Sequence, residues 1–227
     1  MFIGFTKETS DFLWELSFNN ERPWFLEHKE QFERCLNEPF KALARESYER
    51  LAARYPERDF NVHVSRIYRD ARRLYGRGPY KDHLWFSIQQ GDHREGGPSF
   101  WFEIGAAEYT YGLGFWDSRP AVMENYRKAI DANPARFERL AKQMARYPQF
   151  HVFGQEYKRP KGDLGPVINQ WYNRRTVGLE CARDFGGDLL SAELPQILAE
   201  SYDGLMPMHD FFLEVRQASR EMGEDHV

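Results

Sequence analysis

Leu84-Trp85-Phe86-Ser87-Ile88-Gln89 and Phe100-Trp101-Phe102-Glu103-Ile104 decide the fold of this chain. In the first, Leu84, Phe86 and Ile88 share one face of an extended backbone and Trp85, Ser87 and Gln89 the other. Side chains that alternate with period two point to opposite faces of a strand. Tyr109, Tyr111, Leu113 and Phe115 repeat the pattern, as do Phe60, Val62 and Val64 upstream. The short Gly105–Glu108 connection predicts a hairpin. Gln90–Pro98, with three glycines and a proline, predicts a loop. Alternation with one apolar face is the mark of antiparallel strands packed on one side.

Outward from this centre the period changes to that of a helix. Upstream, Phe12, Leu13 and Leu16 predict a helix over 8–18, with Ser10 as its N-cap. Asn19-Asn20 breaks it, and Asn20 has the residue type to cap the next helix, which starts near Arg22. That helix carries Trp24, Phe25, His28, Phe32, Cys35 and Leu36, is interrupted at Pro39 and runs to about Arg54. Downstream, Ser118 caps a helix over 120–132, and Asn133-Pro134 opens another that ends before Pro148. Residues 149–164 read as extended and irregular, and helical patches follow at 165–174, 191–201 and 207–220. The expectation is a single α+β domain over 1–227, helical at 8–55, strand-rich at 58–117 and helical at 118–220. Its antiparallel sheet of about four to six strands packs against the N- and C-terminal helices.

The 227 residues are 41% hydrophobic, 29% charged and 16% aromatic, which excludes disordered, collagenous and coiled-coil classes for the whole chain. No stretch reaches the roughly 18–20 apolar residues of a membrane helix, and the first residues lack the pattern of a signal peptide. Cys35 and Cys181 are the two cysteines, too few for a disulfide scaffold or a four-thiolate zinc site. A cytoplasmic protein with two buried thiols, no membrane contact and no cofactor is expected.

The net charge of −4 hides two basic segments. Residues 61–81 hold Arg66, Arg69, Arg72, Arg73, Arg77 and Lys81 against Asp70 alone, a net +5. Residues 154–175 hold Lys158, Arg159, Lys161, Arg174 and Arg175 against Glu156 and Asp163, a net +3. Guanidinium groups present a planar donor fork suited to phosphate and carboxylate. An anion site and a set of surface ion pairs are both consistent with the first segment. Lys158-Arg159-Pro160-Lys161-Gly162 reads either as a closing lid or as a solvated turn.

Three further features invite chemistry. Tyr111-Gly112-Leu113-Gly114-Phe115-Trp116 places two glycines on one strand face, as a floor for a flat ligand or as a site of close backbone packing. Glu103 interrupts an apolar strand and, with Asp70, is the candidate for moving protons, although a solvated carboxylate is the plainer reading. The seven histidines form neither H-x-x-x-H nor H-E-x-x-H, so no metal site is expected. There is no G-x-S-x-G elbow and no phosphate-cradling Gly-Lys loop.

Several of these residues fall into a pattern. Phe12-Leu13, Leu16, Asn19-Asn20, Arg22, Trp24-Phe25 and Lys29 resemble the opening of the domain-of-unknown-function 2461 family. The resemblance continues through Arg66, Arg69-Asp70, Arg72, Pro79-Tyr80-Lys81, Phe102, Gly112, Gly114, Arg127 and Lys161-Gly162, and more loosely to Pro207 and Phe211. Its most specific parts are N-N-x-R-x-W-F and R-D-x-R followed by P-Y-K. The family is widespread in bacteria, also occurs in fungi, and has no established activity, so the resemblance implies no reaction. The chain departs from the pattern at Leu74-Tyr75-Gly76-Arg77, where relatives carry Ser-Lys-Asp-Lys, and at Gly112-Leu113-Gly114, where they carry three glycines. Arg174 or Arg175 takes the place of a lysine downstream of the Lys-Gly turn.

The leading reading is a protein that binds or acts on a small phosphorylated or carboxylated ligand. Arg66, Arg69, Arg72, Tyr80, Lys81, Arg127 and Lys161 are its candidate ligand-binding residues. A nucleic-acid or nucleotide binder is the second reading and a protein-interaction module the third. The catalytic residues, the enzyme question and the oligomeric state are not legible in the sequence.

Overall fold

The alternating segments form β1 (Phe60–Val64), β2 (His83–Gln90), β3 (Pro98–Gly105) and β4 (Glu108–Phe115). The computed structural model describes residues 1–70, 72, 74, 76–91, 96–115 and 119–221. With β5 (His151–Phe153) and β6 (Val177–Asp184), the strands make an antiparallel sheet in the order β1-β2-β3-β4-β6-β5. β5 pairs with β6 in the register His151–Glu180, Val152–Leu179 and Phe153–Gly178. The expected α+β class and antiparallel sheet are both present.

β5 and β6 fall where the sequence reads as irregular or helical. β5 has three residues, too few to display a period. β6 does alternate, with Val177, Leu179 and Cys181 buried, but Gly178 interrupts the run. A Cβ at Gly178 would lie 2.4 Å from the Phe153 ring and 2.5 Å from the Leu113 carbonyl oxygen, so close strand packing requires the glycine.

The described residues form two compact units. The first comprises Met1–Ile88, Trp101–Tyr111 and Ala182–Glu200; the second comprises Gln89–Phe100, Gly112–Cys181 and the chain from Ser201 onward.

In the first unit, α1 (Lys7–Phe18) is capped at Thr6 rather than Ser10, whose hydroxyl instead donates to the Ala106 carbonyl at 2.6 Å. The expected helix over 22–54 is in pieces: α2 (Arg22–Glu27), α3 (Lys29–Phe32), a π-helical turn at Glu33–Asn37 and α4 (Glu38–Arg54). Pro39 sits in the first turn of α4, where its missing N–H costs little, and the wide turn before it absorbs the change of register. Phe40 on α4 packs on Phe86 of β2 and Phe102 of β3 at ring separations of 5.7 and 6.1 Å, joining helix to sheet.

The second unit holds α5 (Pro120–Ala132), α6 (Pro134–Met144) and α7 (Pro166–Tyr172). Asn133 caps α6 as expected, its Oδ1 accepting from the Arg136 N–H at 3.0 Å. The expected Ser118 cap lies outside the described residues. Tyr126, Phe137, Trp171, Phe211 and Phe212 form an aromatic core. α8 (Leu194–Glu221) contributes to both units and is one helix, not two patches. Pro207 lies inside it; an interior proline costs about 3 kcal/mol. Burial of Leu205, Met206, Met208, Phe211 and Phe212 around it offsets that cost. No helix among the described residues is long and apolar enough to cross a membrane.

Candidate functional site

The arginine-rich segment of the first unit leaves β1, turns and returns into β2. Its two arms pair through Arg69 N–H to the Pro79 carbonyl (2.8 Å) and Lys81 N–H to the Ile67 carbonyl (2.7 Å). Asn20 locks this turn. Its Oδ1 accepts from the Tyr80 N–H and its Nδ2 donates to the Tyr80 carbonyl, both at 2.9 Å. The side-chain amide thus acts as one more strand residue, and it caps no helix: the N-cap of α2 is Glu21. A Cβ at Gly78 would lie 2.2 Å from Asn20 Oδ1, so the Asn-Asn and Gly-Pro-Tyr-Lys motifs interlock.

Most of the cations in this turn are committed to it. Arg69 donates from Nε to the Tyr80 carbonyl at 2.7 Å and from Nη2 to Asp82 at 3.1 Å, with its side chain 12% exposed. Arg72 forks onto Asp70 at 2.9 and 3.1 Å and stands in solvent. Lys81 donates to the Arg66 carbonyl at 2.7 Å and lies over Trp85. Burial, helped by the charge of Arg69, lowers the Lys81 pKa. Tyr80 is a pillar of the core, stacked on Phe25 at 4.0 Å. Arg66 is exposed, and its guanidinium has no ion pair among the described residues. Arg73 lies outside the described residues.

Glu103 is half-buried on β3 and takes no hydrogen bond among the described residues. Burial raises its carboxyl pKa against the opposing pull of His83 and Lys81.

In the second unit the cations are arranged differently. The segment after β5 folds back over the end of α7: Tyr157 N–H donates to the Asn173 carbonyl at 2.9 Å, and Arg175 N–H to the Gln155 carbonyl at 2.6 Å. Asn173 Oδ1 accepts from the N–H groups of Lys161 and Gly162 at 2.7 and 3.3 Å. Gly162 sits so close to Tyr172 that a Cβ would lie 2.9 Å from its ring. These bonds place Tyr157 among three cations. Arg127 of α5 lies 5.4 Å from the ring centroid, Lys161 4.9 Å and Arg175 6.0 Å. Arg127 Nη1 also donates to the Tyr157 hydroxyl at 3.3 Å.

None of the three cations has a carboxylate partner among the described residues. The carboxylates nearest in sequence are employed elsewhere. Glu156 pairs with Arg174 at 3.1 Å. Asp163 accepts from Asn169 at 2.8 Å and from the Gly165 N–H at 3.1 Å, bonds that hold its carboxyl below the usual range. Asp131 accepts from the Tyr172 hydroxyl at 3.0 Å. Arg174, one of two candidates for the downstream basic position, is also bonded to the Gly154 and Gln170 carbonyls; Arg175, the other, faces Tyr157.

The glycine strand packs tightly: a Cβ at Gly112 would lie 1.9 Å from the Leu179 carbonyl oxygen of β6. Trp116 lies outside the described residues. Cys35 and Cys181 are free and buried, and burial pushes the Cys35 thiol up to about 11, which leaves it unreactive at neutral pH. No three His, Cys, Asp or Glu side chains among the described residues gather into a metal-holding group.

The seven predicted ligand residues therefore divide, with Arg66, Arg69, Arg72, Tyr80 and Lys81 in the first unit and Arg127 and Lys161 in the second. Sequence reasoning missed Tyr157 at the centre of the second group. Its one signal was an aromatic residue directly before Lys158-Arg159-Pro160-Lys161.

The family model described as a conserved hypothetical protein (DUF2461) matches residues 8–211, and so takes in both basic groups. No curated protein matches the chain.

Proposed function

The chain belongs to the DUF2461 family of conserved hypothetical proteins, and for this member we propose binding of a small phosphorylated or carboxylated ligand at the Tyr157 cluster. One observation carries the reading: Arg127, Lys161 and Arg175 converge on one tyrosine with no carboxylate among them. A cation–π contact at a partly exposed ring gives about 0.5–1 kcal/mol. Three like charges around one ring repel one another, and an anion supplies the missing counter-charge. Arg127 and Arg175 offer forks, Lys161 a point charge and the Tyr157 hydroxyl a further donor. The cations already occupy the surroundings of the Tyr157 ring, which favours a compact anion over stacked nucleic-acid bases. In the arginine-rich turn of the first unit, Arg66 is the cation best able to take part in ligand binding. Two free, buried thiols suit a reducing compartment, and the proposal places the protein in the cytoplasm.

The test is a thermal-shift series on the full chain with inorganic phosphate, pyrophosphate, sugar phosphates, dicarboxylates and short RNA, with Arg127→Gln in parallel. A ligand at about 100 times its Kd stabilises by about 2.7 kcal/mol. For a chain of this length that raises Tm by roughly 5–10 °C. A rise with one anion class that is lost in Arg127→Gln supports the site. No rise with any anion, or an undiminished rise in Arg127→Gln, overturns it.

A further inference from the structure

The first unit contains a groove of about 270 Å³ that the Tyr157 cluster does not involve. It lies between α1, which supplies Leu13, Trp14 and Ser17, and the β3–β4 turn Gly105–Glu108, with Asp82 and His83 completing the lining. The turn is fixed in place: Ala106 accepts from Ser10 Oγ at 2.6 Å, and Ala107 accepts from the Phe185 N–H at 2.8 Å. The groove is therefore a shaped feature of rigid elements.

Its chemistry differs from that of the rest of the chain. No lysine or arginine among the described residues lines it. Trp14 is 47% exposed and stacks on Phe18 at 6.2 Å, so a large π surface stands at the opening. Asp82 accepts from both Arg69 (3.1 Å) and His83 (3.0 Å) at Oδ1. Glu108 is exposed, and its carboxylate has neither hydrogen bond nor ion pair among the described residues. Burial would raise the Asp82 carboxyl pKa, but hydrogen bonds from its own N–H and His83, with the charges of His83 and Arg69, hold it below the usual range. Asp82 is thus ionised at neutral pH. An apolar floor, an indole and two carboxylate groups form the set of groups that recognises an organic cation.

We propose that this groove binds a small aliphatic amine in its protonated form, with the ammonium group against Trp14 and the Asp82 and Glu108 carboxylates as counter-charges. The volume falls just under the roughly 300–1,000 Å³ of ordinary small-molecule pockets, which points to a short ligand. Two carboxylate groups suit a diamine better than a monoamine. The proposal is independent of the anion site, because it uses none of Arg127, Tyr157, Lys161 or Arg175.

The experiment is a two-dimensional NMR titration of the full chain with 1,4-diaminobutane, following the indole N–H of Trp14, which is assigned by its loss in Trp14→Phe. The neutral isostere 1,4-butanediol is the control. The expected result is a saturable shift of the Trp14 indole at millimolar diamine and none with the diol. Affinity falls at least about fivefold in Glu108→Gln and in Asp82→Asn and is unchanged in Arg127→Gln. Glu108 is exposed, so Glu108→Gln keeps the test readable should Asp82→Asn disturb the fold through Arg69. No saturable shift, an equal response to the diol, or an affinity indifferent to Glu108→Gln overturns the proposal. Failure here leaves the phosphate and carboxylate series untouched, and the reverse holds as well.

Discussion

The arginine-rich turn of the first unit and the Tyr157 cluster of the second have similar charge in sequence and opposite employment in the structure. In the turn, Arg69 and Lys81 are bonded to main-chain carbonyls, and Arg69 and Arg72 are also matched to carboxylates. In the cluster, the carboxylates Glu156, Asp163 and Asp131 are each engaged by other groups, and Arg127, Lys161 and Arg175 face one tyrosine without a counter-ion. Charge count does not separate a scaffold from a site. What separates them is where each nearby acceptor spends its lone pairs. The first region should respond to mutation through stability and the second through anion affinity.

The largest effect is expected where Asn20 and Arg69 meet at the Tyr80 carbonyl. Asn20→Ala removes two hydrogen bonds and leaves the Tyr80 N–H without its acceptor, a loss of about 2–3 kcal/mol. Arg69→Ala removes a charge-assisted pair from a mostly buried position, about 2 kcal/mol. Both donate to one carbonyl, so each single variant leaves it one partner and only the double variant strands it; the double variant therefore loses more than the sum. Chemical denaturation of the three variants measures this, and equal additivity would mean that the turn is not one unit. Neither single variant should change the anion response.

The second prediction inverts the first. Arg175→Gln and Lys161→Gln each weaken phosphate or carboxylate binding about tenfold, which is about 1.4 kcal/mol of binding free energy. Their stability stays within about 0.5 kcal/mol of wild type, since no paired group is broken. Arg174→Gln is the contrast: it breaks bonds to Glu156, Gly154 and Gln170 and should lose stability first. Calorimetric titration beside thermal unfolding resolves the two. A stability loss in Arg175→Gln equal to that in Arg174→Gln would erase the distinction between the neighbours.

That distinction shows how far the sequence could be read. The strands β1–β4 were legible because their apolar residues alternate over five residues or more, although in β2, β3 and β4 residues of both faces are buried. β6 alternates as well, but Gly178 hides it, and the reason for Gly178 is a neighbour, Phe153, that is distant in sequence. Asn20 has the residue type of a helix cap, yet its partner is sixty residues away on Tyr80. At the candidate site, Lys161 was legible from the basic turn that holds it, Arg127 came from the family resemblance, Arg175 stood as one of two choices, and Tyr157 was missed. Aromatics make up 16% of the chain, and most are core, so composition gives no reason to single one out. Which carboxylates are taken is a property of the folded chain: the Asp131–Tyr172 bond joins α5 to α7 across forty-one residues.

A third and smaller effect concerns pH in the first unit. Burial raises the Glu103 pKa in the folded chain above its unfolded value. A raised carboxyl pKa means that the folded state binds the proton more tightly. Its stabilising contribution is therefore complete below the ordinary glutamate range and is lost as pH rises through the folded pKa. Glu103→Gln removes this dependence. Its unfolding temperature relative to wild type should climb as pH rises above the ordinary glutamate range. A flat difference would mean that the carboxyl is solvated like a surface glutamate, and a falling one that its charged form is stabilised in the fold.

The smallest effect is expected at Arg72, and it is the most discriminating. Its guanidinium makes two hydrogen bonds to Asp70 and is 87% exposed. Solvent screens such a pair, and holding two side chains in one geometry costs entropy that cancels most of the attraction. Arg72→Ala should leave the unfolding temperature unchanged, and it should leave phosphate and carboxylate binding unchanged too. The residue type alone ranks Arg72 with Arg127 as an anion ligand, whereas its pairing with Asp70 ranks it as a solvated ion pair. A clear loss of anion affinity in Arg72→Ala would put the arginine-rich turn in contact with ligand, with the Asp70 pair opening on binding. The contrast between a spent and an unspent set of cations would then fail at the position where the structure draws it most plainly.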